Sequence, residues 1–166
     1  MELFQDYVKE YKIQLAKGSI QRAYRGLIQY NLDLKTYLAK KHPTYSVSGS
    51  LYQGYMDMTY FSFTPASLAE RKLKVAIVFV YQTFRFEAWL AAVNKQVQAK
   101  YWQLIKDSGW EQYHLVPSLE GQDAIIECVL AEEPDFSDLD VLTKQIETGS
   151  LKFIADVESF LSGHGS

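Results

Sequence analysis

Apolar residues recur at intervals of three and four over residues 2–17, at Phe4, Tyr7, Val8, Tyr11 and Leu15, which predicts an amphipathic helix. Gly18 ends it as a left-handed C-terminal glycine, and Ser19 caps a second helix that starts near Ile20. Tyr24, Leu27, Ile28, Asn31, Leu34 and Leu38 form its inward face, and it stops at His42-Pro43 because the residue before a proline is pushed out of the helical region. Residues 1–42 therefore read as a helical hairpin.

Beyond Pro43 the period changes to two. Tyr45, Val47, Gly49 and Leu51 alternate with Ser46, Ser48, Ser50 and Tyr52, as in a half-buried strand. Gly54 marks a turn or bulge, and the Tyr-, Phe-, Thr- and Met-rich run 55–64 is a second strand that ends at Pro65. Residues 65–72 read as a short helical turn or loop. Over 73–81 both faces are apolar, with Val75, Ile77, Phe79 and Tyr81 on one and Ala76, Val78 and Val80 on the other, which places this strand centrally. A Gln82-Thr83 turn leads into 84–90, where Phe84, Phe86, Ala88 and Leu90 oppose Arg85, Glu87 and Trp89. Asn94 caps a helix over 93–107, with Val97, Tyr101, Leu104 and Ile105 inward, and Ser108-Gly109 ends it. Two strands follow, 113–116 and 124–131, closing a sheet that spans 45–131. Ser137 or Asp138 caps a final helix over 138–161, which Thr148-Gly149-Ser150 could split, and 162–166 reads as a frayed tail.

The order ααβββ(β)αββα predicts a single α+β domain, 1–166, with a mainly antiparallel sheet and helices packed on one face. Runs of strands argue against a doubly wound parallel sheet, and no G-x-G-x-x-G or G-x-x-x-x-G-K-[ST] loop is present to cradle a nucleotide in the usual ways.

The chain has 166 residues, 48% hydrophobic, 22% charged and 14% aromatic, enough to bury a core without staples. The single Cys128 rules out an internal disulfide or a multi-cysteine zinc site. Met1-Glu2 opens a charged N-terminus and no apolar run is long enough to span a bilayer, so no membrane association and a cytoplasmic location are expected. A net charge of −3 disfavours general nucleic-acid binding. That value conceals a division: residues 1–110 carry 15 Lys+Arg and 8 Asp+Glu, a net +7, and residues 111–166 carry 2 and 12, a net −10.

The stretches Tyr45-Ser46-Val47-Ser48-Gly49-Ser50, Gly54-Tyr55-Met56-Asp57-Met58-Thr59-Tyr60-Phe61, Phe84-Arg85-Phe86-Glu87-Ala88-Trp89-Leu90, Asn94-Lys95-Gln96-Val97-Gln98 and Lys100-Tyr101-Trp102 resemble a family of small bacterial proteins of unknown function. The resemblance runs over nearly the whole chain. It implies a bacterial, single-domain protein and brings no activity, cofactor or site residue.

Among polar residues, Arg85 and Glu87 share a strand face, and Asn94, Lys95 and Gln98 open the next helix, so all five could converge at one strand-to-helix corner, with Asp57 joining from an earlier strand. A helix N-terminus there favours an anion. The plainer account is a same-face ion pair plus a helix cap. Restriction-nuclease-like chemistry needs an Asp on the central strand and Glu-x-Lys on the next to hold Mg²⁺. Here 73–81 has no acid, and Trp89 stands where the lysine belongs in Glu87-Ala88-Trp89. His42, His114 and His164 are scattered without metal-ligand spacing, and a Cys128–His114 dyad requires the two strands to be neighbours. Ser46, Ser48 and Ser50 form a hydroxyl row without a nucleophile elbow.

The leading expectation is a non-enzymatic interaction or binding module, with no catalytic residue, metal or cofactor and an unknown partner. A homodimer through an aromatic-rich sheet face or helix is one arrangement. The alternative is a small-ligand-binding protein or enzyme using Arg85, Glu87, Asn94, Lys95, Gln98 and Asp57, and a degenerate restriction-nuclease-like domain is a remote third.

Overall fold

The strand with two apolar faces does lie inside its sheet. In the computed structural model, which describes residues 1 and 3–164, the elements run α1 (Phe4–Lys17), α2 (Ser19–Lys41), β1 (Ser46–Val47), β2 (Tyr52–Gln53), β3 (Met58–Thr64), α3 (Ala66–Ala69), β4 (Leu73–Val80), β5 (Arg85–Ala92), α4 (Lys95–Ser108), β6 (His114–Leu115), β7 (Ala124–Ala131) and α5 (Leu139–Gly163). The sheet is antiparallel in every pair, with order β1-β3-β4-β5-β7-β6 and β2 also paired to β3.

One face is the core. Phe61 and Phe63 of β3, Val75, Ile77 and Phe79 of β4, Phe86, Ala88 and Leu90 of β5 and Ile126 of β7 are fully buried there. Leu27, Tyr30, Leu34 and Leu38 of α2, Tyr101 and Ile105 of α4, and Ile146, Phe153, Ile154 and Val157 of α5 complete the same cluster. Period-two alternation sends Tyr60, Lys74, Ala76, Val78, Arg85, Glu87, Trp89, Glu127 and Val129 to the other face, away from the core residues of the helices.

Three expectations change. The alternating run 45–52 is not one strand: Val47 pairs with Phe63 and Tyr52 with Tyr60, so residues 48–51 stand opposite only Phe61 and Ser62 and bulge outward. The Ser48 hydroxyl accepts from the Ser62 amide at 3.0 Å and roots the bulge. The strand expected from Phe84 begins at Arg85, because Phe84 takes a left-handed φ of +55° in the turn. Helix α5 is not split at Thr148-Gly149-Ser150; it runs unbroken to Gly163, and so takes in part of the expected tail. Residues 165–166 of that tail, like Glu2 at the start of the first expected helix, lie outside the described residues.

Gly149 serves close approach rather than a break, since a Cβ there would stand 2.9 Å from Leu130 Cδ2 on β7. Gly149→Val is therefore expected to lose about 1–3 kcal/mol, because the Leu130 side chain must give way within the packed contact. Urea unfolding measures it, and a stability unchanged from wild type would refute the packing argument.

The N-terminal helical hairpin forms as expected. Helices α1 and α2 meet at Gly18 with φ +80°, but α1 contributes no buried residue, so its apolar stripe faces solvent. Helix α2 is tied to α5 instead. Tyr30 Oη and Thr143 Oγ1 lie 2.9 Å apart, Tyr37 donates to Glu147 Oε1 at 2.9 Å, and His42 Nε2 lies 2.7 Å from Glu147 Oε2. Burial pushes the Glu147 carboxyl up, but the bonds from His42 and Tyr37 outweigh it and hold the group below the usual carboxylate range.

Candidate functional site

The sheet face away from the core is not flat. Toward the start of β4 and the end of β5 it holds a cleft of about 610 Å³, within the usual size range of small-molecule sites. The β1–β2 bulge supplies one wall with Ser48, Ser50, Leu51 and Tyr52; Asn94, Lys95, Gln98 and Asp123 form the other; and Ser62, Lys74, Ala76 and Trp89 lie between them.

Each wall has a local cause. Tyr52 and Tyr60 are directly opposed on β2 and β3, and their rings stack at 4.7 Å. Asn94 caps α4, its Oδ1 accepting from the Val97 amide at 2.9 Å. Lys95 Nζ and Gln98 Nε2 both donate to the Gln122 carbonyl, at 3.1 and 2.9 Å, and fasten the 117–123 loop to the helix start. Lys74 projects from β4 with no ion-pair or hydrogen-bond partner among the described residues, and it is exposed. Burial, then the charge of Asp123, raises the Tyr60 phenol, so that it stays a neutral hydrogen-bonding group.

Arg85 and Glu87 do not reach this corner. Six residues at about 3.3 Å each separate Arg85 from Ala91 along β5. The Glu87 carboxylate is nearly sealed, its side chain 6% exposed, and both oxygens are used: Oε2 by Arg85 Nε at 2.9 Å, Oε1 by the Trp89 indole N–H at 2.9 Å. Arg85 also reaches Glu132 at 3.2 Å, and the Glu87 hydrogen bond holds its guanidinium above its ordinary value. The expected convergence of five residues thus resolves into a structural ion pair and a separate corner, and Trp89 joins them. Its N–H is held by Glu87 and its ring lines the cleft.

Asp57 lies elsewhere again. It sits in the β2–β3 turn, at the opposite end of the sheet from Asn94, where its Oδ1 accepts from the Met58 amide and its carbonyl from the Tyr81 amide. Neighbouring Gly54 is required there, since a Cβ would stand 2.6 Å from the Met58 carbonyl oxygen.

The histidines and the cysteine stay apart. His114 pairs across the strands with Glu127 on the open face, Nε2 to Oε1 3.7 Å, whereas Cys128 alternates to the helix side. Burial pushes the Cys128 thiol up to about 11, so the thiolate that a dyad needs is disfavoured. Glu127 is raised by burial first and by the nearby Glu87 charge second, with His114 and Arg85 opposing. Trp89, where a nuclease would carry its lysine, is bonded to Glu87. Among the described residues no group of three His, Cys, Asp or Glu side chains is placed to hold a metal ion.

The sequence made Asn94, Lys95 and Gln98 legible, and also Tyr52, Tyr60 and Trp89 as aromatics able to line a ligand cleft, but not Lys74 or Asp123. Lys74 did leave a signal, as the only charged residue in the otherwise apolar run Leu73–Val80.

A family model described as a domain of unknown function, DUF7000, matches residues 4–161, from the first turn of α1 to near the end of α5. No curated protein matches the chain, and no solved structure does.

Proposed function

The chain belongs to the DUF7000 family, a domain of unknown function, and from that premise we propose that it is a non-enzymatic binding module whose open-face cleft takes a small molecule joining a flat ring to an anionic group. The observation that carries this reading is the unpaired Lys74 ammonium in the same cleft as the stacked Tyr52 and Tyr60 rings and Trp89. An unsatisfied cation in a concave site attracts an anion, Lys95 adds a second positive charge, and Ser48, Ser50 and Ser62 bring hydroxyls to the same edge. Asp123 on the far wall suits an amino or hydroxyl substituent on the ring. Binding is favoured over catalysis because the three histidines are engaged elsewhere, with Glu147, Glu127 and the Phe160 carbonyl. The cleft also offers no nucleophile hydrogen-bonded to a base.

The sequence resemblance supports a bacterial source, and the lone cysteine fits the reducing cytoplasm. No helix among the described residues is long and apolar enough to cross a membrane.

Adenosine monophosphate, indole-3-acetate and inorganic phosphate are suitable probes in a thermal-shift titration. The two ring compounds are expected to raise the melting temperature, and phosphate alone to do so far less. Lys74→Met keeps the side chain's length and sits on the surface, so it preserves the fold while weakening ring-compound binding about 10- to 100-fold, the worth of a charge-assisted hydrogen bond. Wild type that no ring compound stabilises, or a Lys74→Met variant that binds equally well, would refute the proposal.

A further inference from the structure

Helix α1 carries Phe4, Tyr7 and Tyr11 at 81%, 59% and 60% exposure along one stripe, and none of the described residues covers them. Fourteen residues are marginal as a free helix in water, yet the family match begins at Phe4, so α1 is part of the domain and not an appended tail. An acceptor of matching character lies on the same chain. A groove of about 660 Å³ runs between α2 and the start of α5, with Tyr30, Leu34 and Tyr37 on one wall and Leu139 and Val141 on the other. Leu139 and Val141 are both exposed, although aliphatic.

We infer that this groove receives α1 of a second copy of the chain, and that the exchange is reciprocal about a two-fold axis. Lys12 flanks the stripe of α1 on one side, and Asp33, Asp140 and Lys144 edge the groove, so Lys12 meets a carboxylate at the rim. The area agrees as well. Aromatic side chains bury about 150–250 Å² each, so three largely exposed ones with their aliphatic neighbours give roughly 400 Å² per stripe. Two such contacts, with comparable area lost from each groove, come to about 1,600 Å², the size of a standard stable interface. Donor and acceptor on one chain, exchanged about a two-fold axis, form a closed dimer rather than an open chain.

Sedimentation velocity of the full chain tests the inference. Wild type at micromolar concentration is expected at twice the 19.1 kDa chain mass. Tyr7→Glu/Tyr11→Glu, on a helix that buries nothing, and Val141→Glu, on an exposed groove position, should each sediment as monomers with unchanged far-ultraviolet circular dichroism. Mixing the two variants restores one intact contact and should give a weak heterodimer that neither forms alone. A wild-type monomer overturns the inference, whether α1 folds back on its own α2 or docks on a foreign protein. So does a dimer that survives Val141→Glu, because the partner helix would then sit elsewhere. Lys74→Met leaves the dimer intact, so the outcome is independent of the ligand cleft.

Discussion

Arg85→Ala is expected to destabilise the protein by about 3–5 kcal/mol, the usual cost of leaving one member of a buried ion pair without its partner. The Glu87 side chain is 6% exposed, so without the guanidinium its charge stays in a poorly solvated site with only the Trp89 N–H to stabilise it. The desolvation cost, and not the lost attraction alone, makes the effect large. Arg85→Leu/Glu87→Gln removes both charges and retains a carbonyl to accept from Trp89, and should recover most of the loss, because apolar replacements of whole buried pairs are often neutral. Urea unfolding of this double variant and of the single variants Arg85→Leu and Glu87→Gln closes a double-mutant cycle. An Arg85→Ala cost below about 1 kcal/mol, the range of exposed pairs, would show that the pair is effectively solvated. The consequence reaches function as well. Glu87 fixes the Trp89 ring, so Arg85→Ala should also weaken ligand binding although Arg85 is outside the cleft.

The second large effect is expected at Phe79→Ala, about 3–5 kcal/mol for truncating a fully buried aromatic. Phe79 is 0% exposed and sits among Phe86 at 4.9 Å, Tyr81 and Phe84 at 5.1 Å and Phe136 at 6.3 Å. It joins the central hairpin to the segment preceding α5, and no neighbouring element can collapse into the space without leaving the sheet. Phe84→Ala at the hairpin turn, where the ring is half exposed, should cost much less. Equal costs for the two would contradict the placement of the core on that face.

Period and breakers carried most of the architecture. The two apolar faces of 73–81 located the central strand, Asn94 located the start of α4, and alternation alone set Phe86, Ala88 and Leu90 on the face opposite Arg85, Glu87 and Trp89. Where the sequence misled, a tertiary contact outweighed the local signal. Gly149 resembles a helix stop but is an approach site for Leu130, and the Ser48 hydroxyl turns a regular alternation into a bulge. The first helix is legible as amphipathic, but a stripe in sequence does not say whether its partner is the same chain.

The polar patch was half legible for a related reason. Side-chain alternation showed that Arg85, Glu87 and Trp89 share a face, but a strand is extended, and nine positions separate Arg85 from Asn94. Strand order decided the rest. Antiparallel pairing of β3 with β4 brought Tyr60 and Ser62 beside Ala76 and Val78, and β2 laid Tyr52 over Tyr60. The acceptors that engage Lys95 and Gln98 come from the loop before β7, whose place beside β5 no local pattern announces.

Backbone and indole NMR shifts of the labelled full chain during titration with adenosine monophosphate test the cleft most directly. Binding there moves Tyr52, Tyr60, Lys74, the Trp89 indole and Asn94, leaves the helix face still, and in Lys74→Met needs about 10- to 100-fold more ligand. Shifts centred on the groove lined by Arg71, Lys100 and Glu158 instead, or no shifts at all with either ring compound, would contradict it.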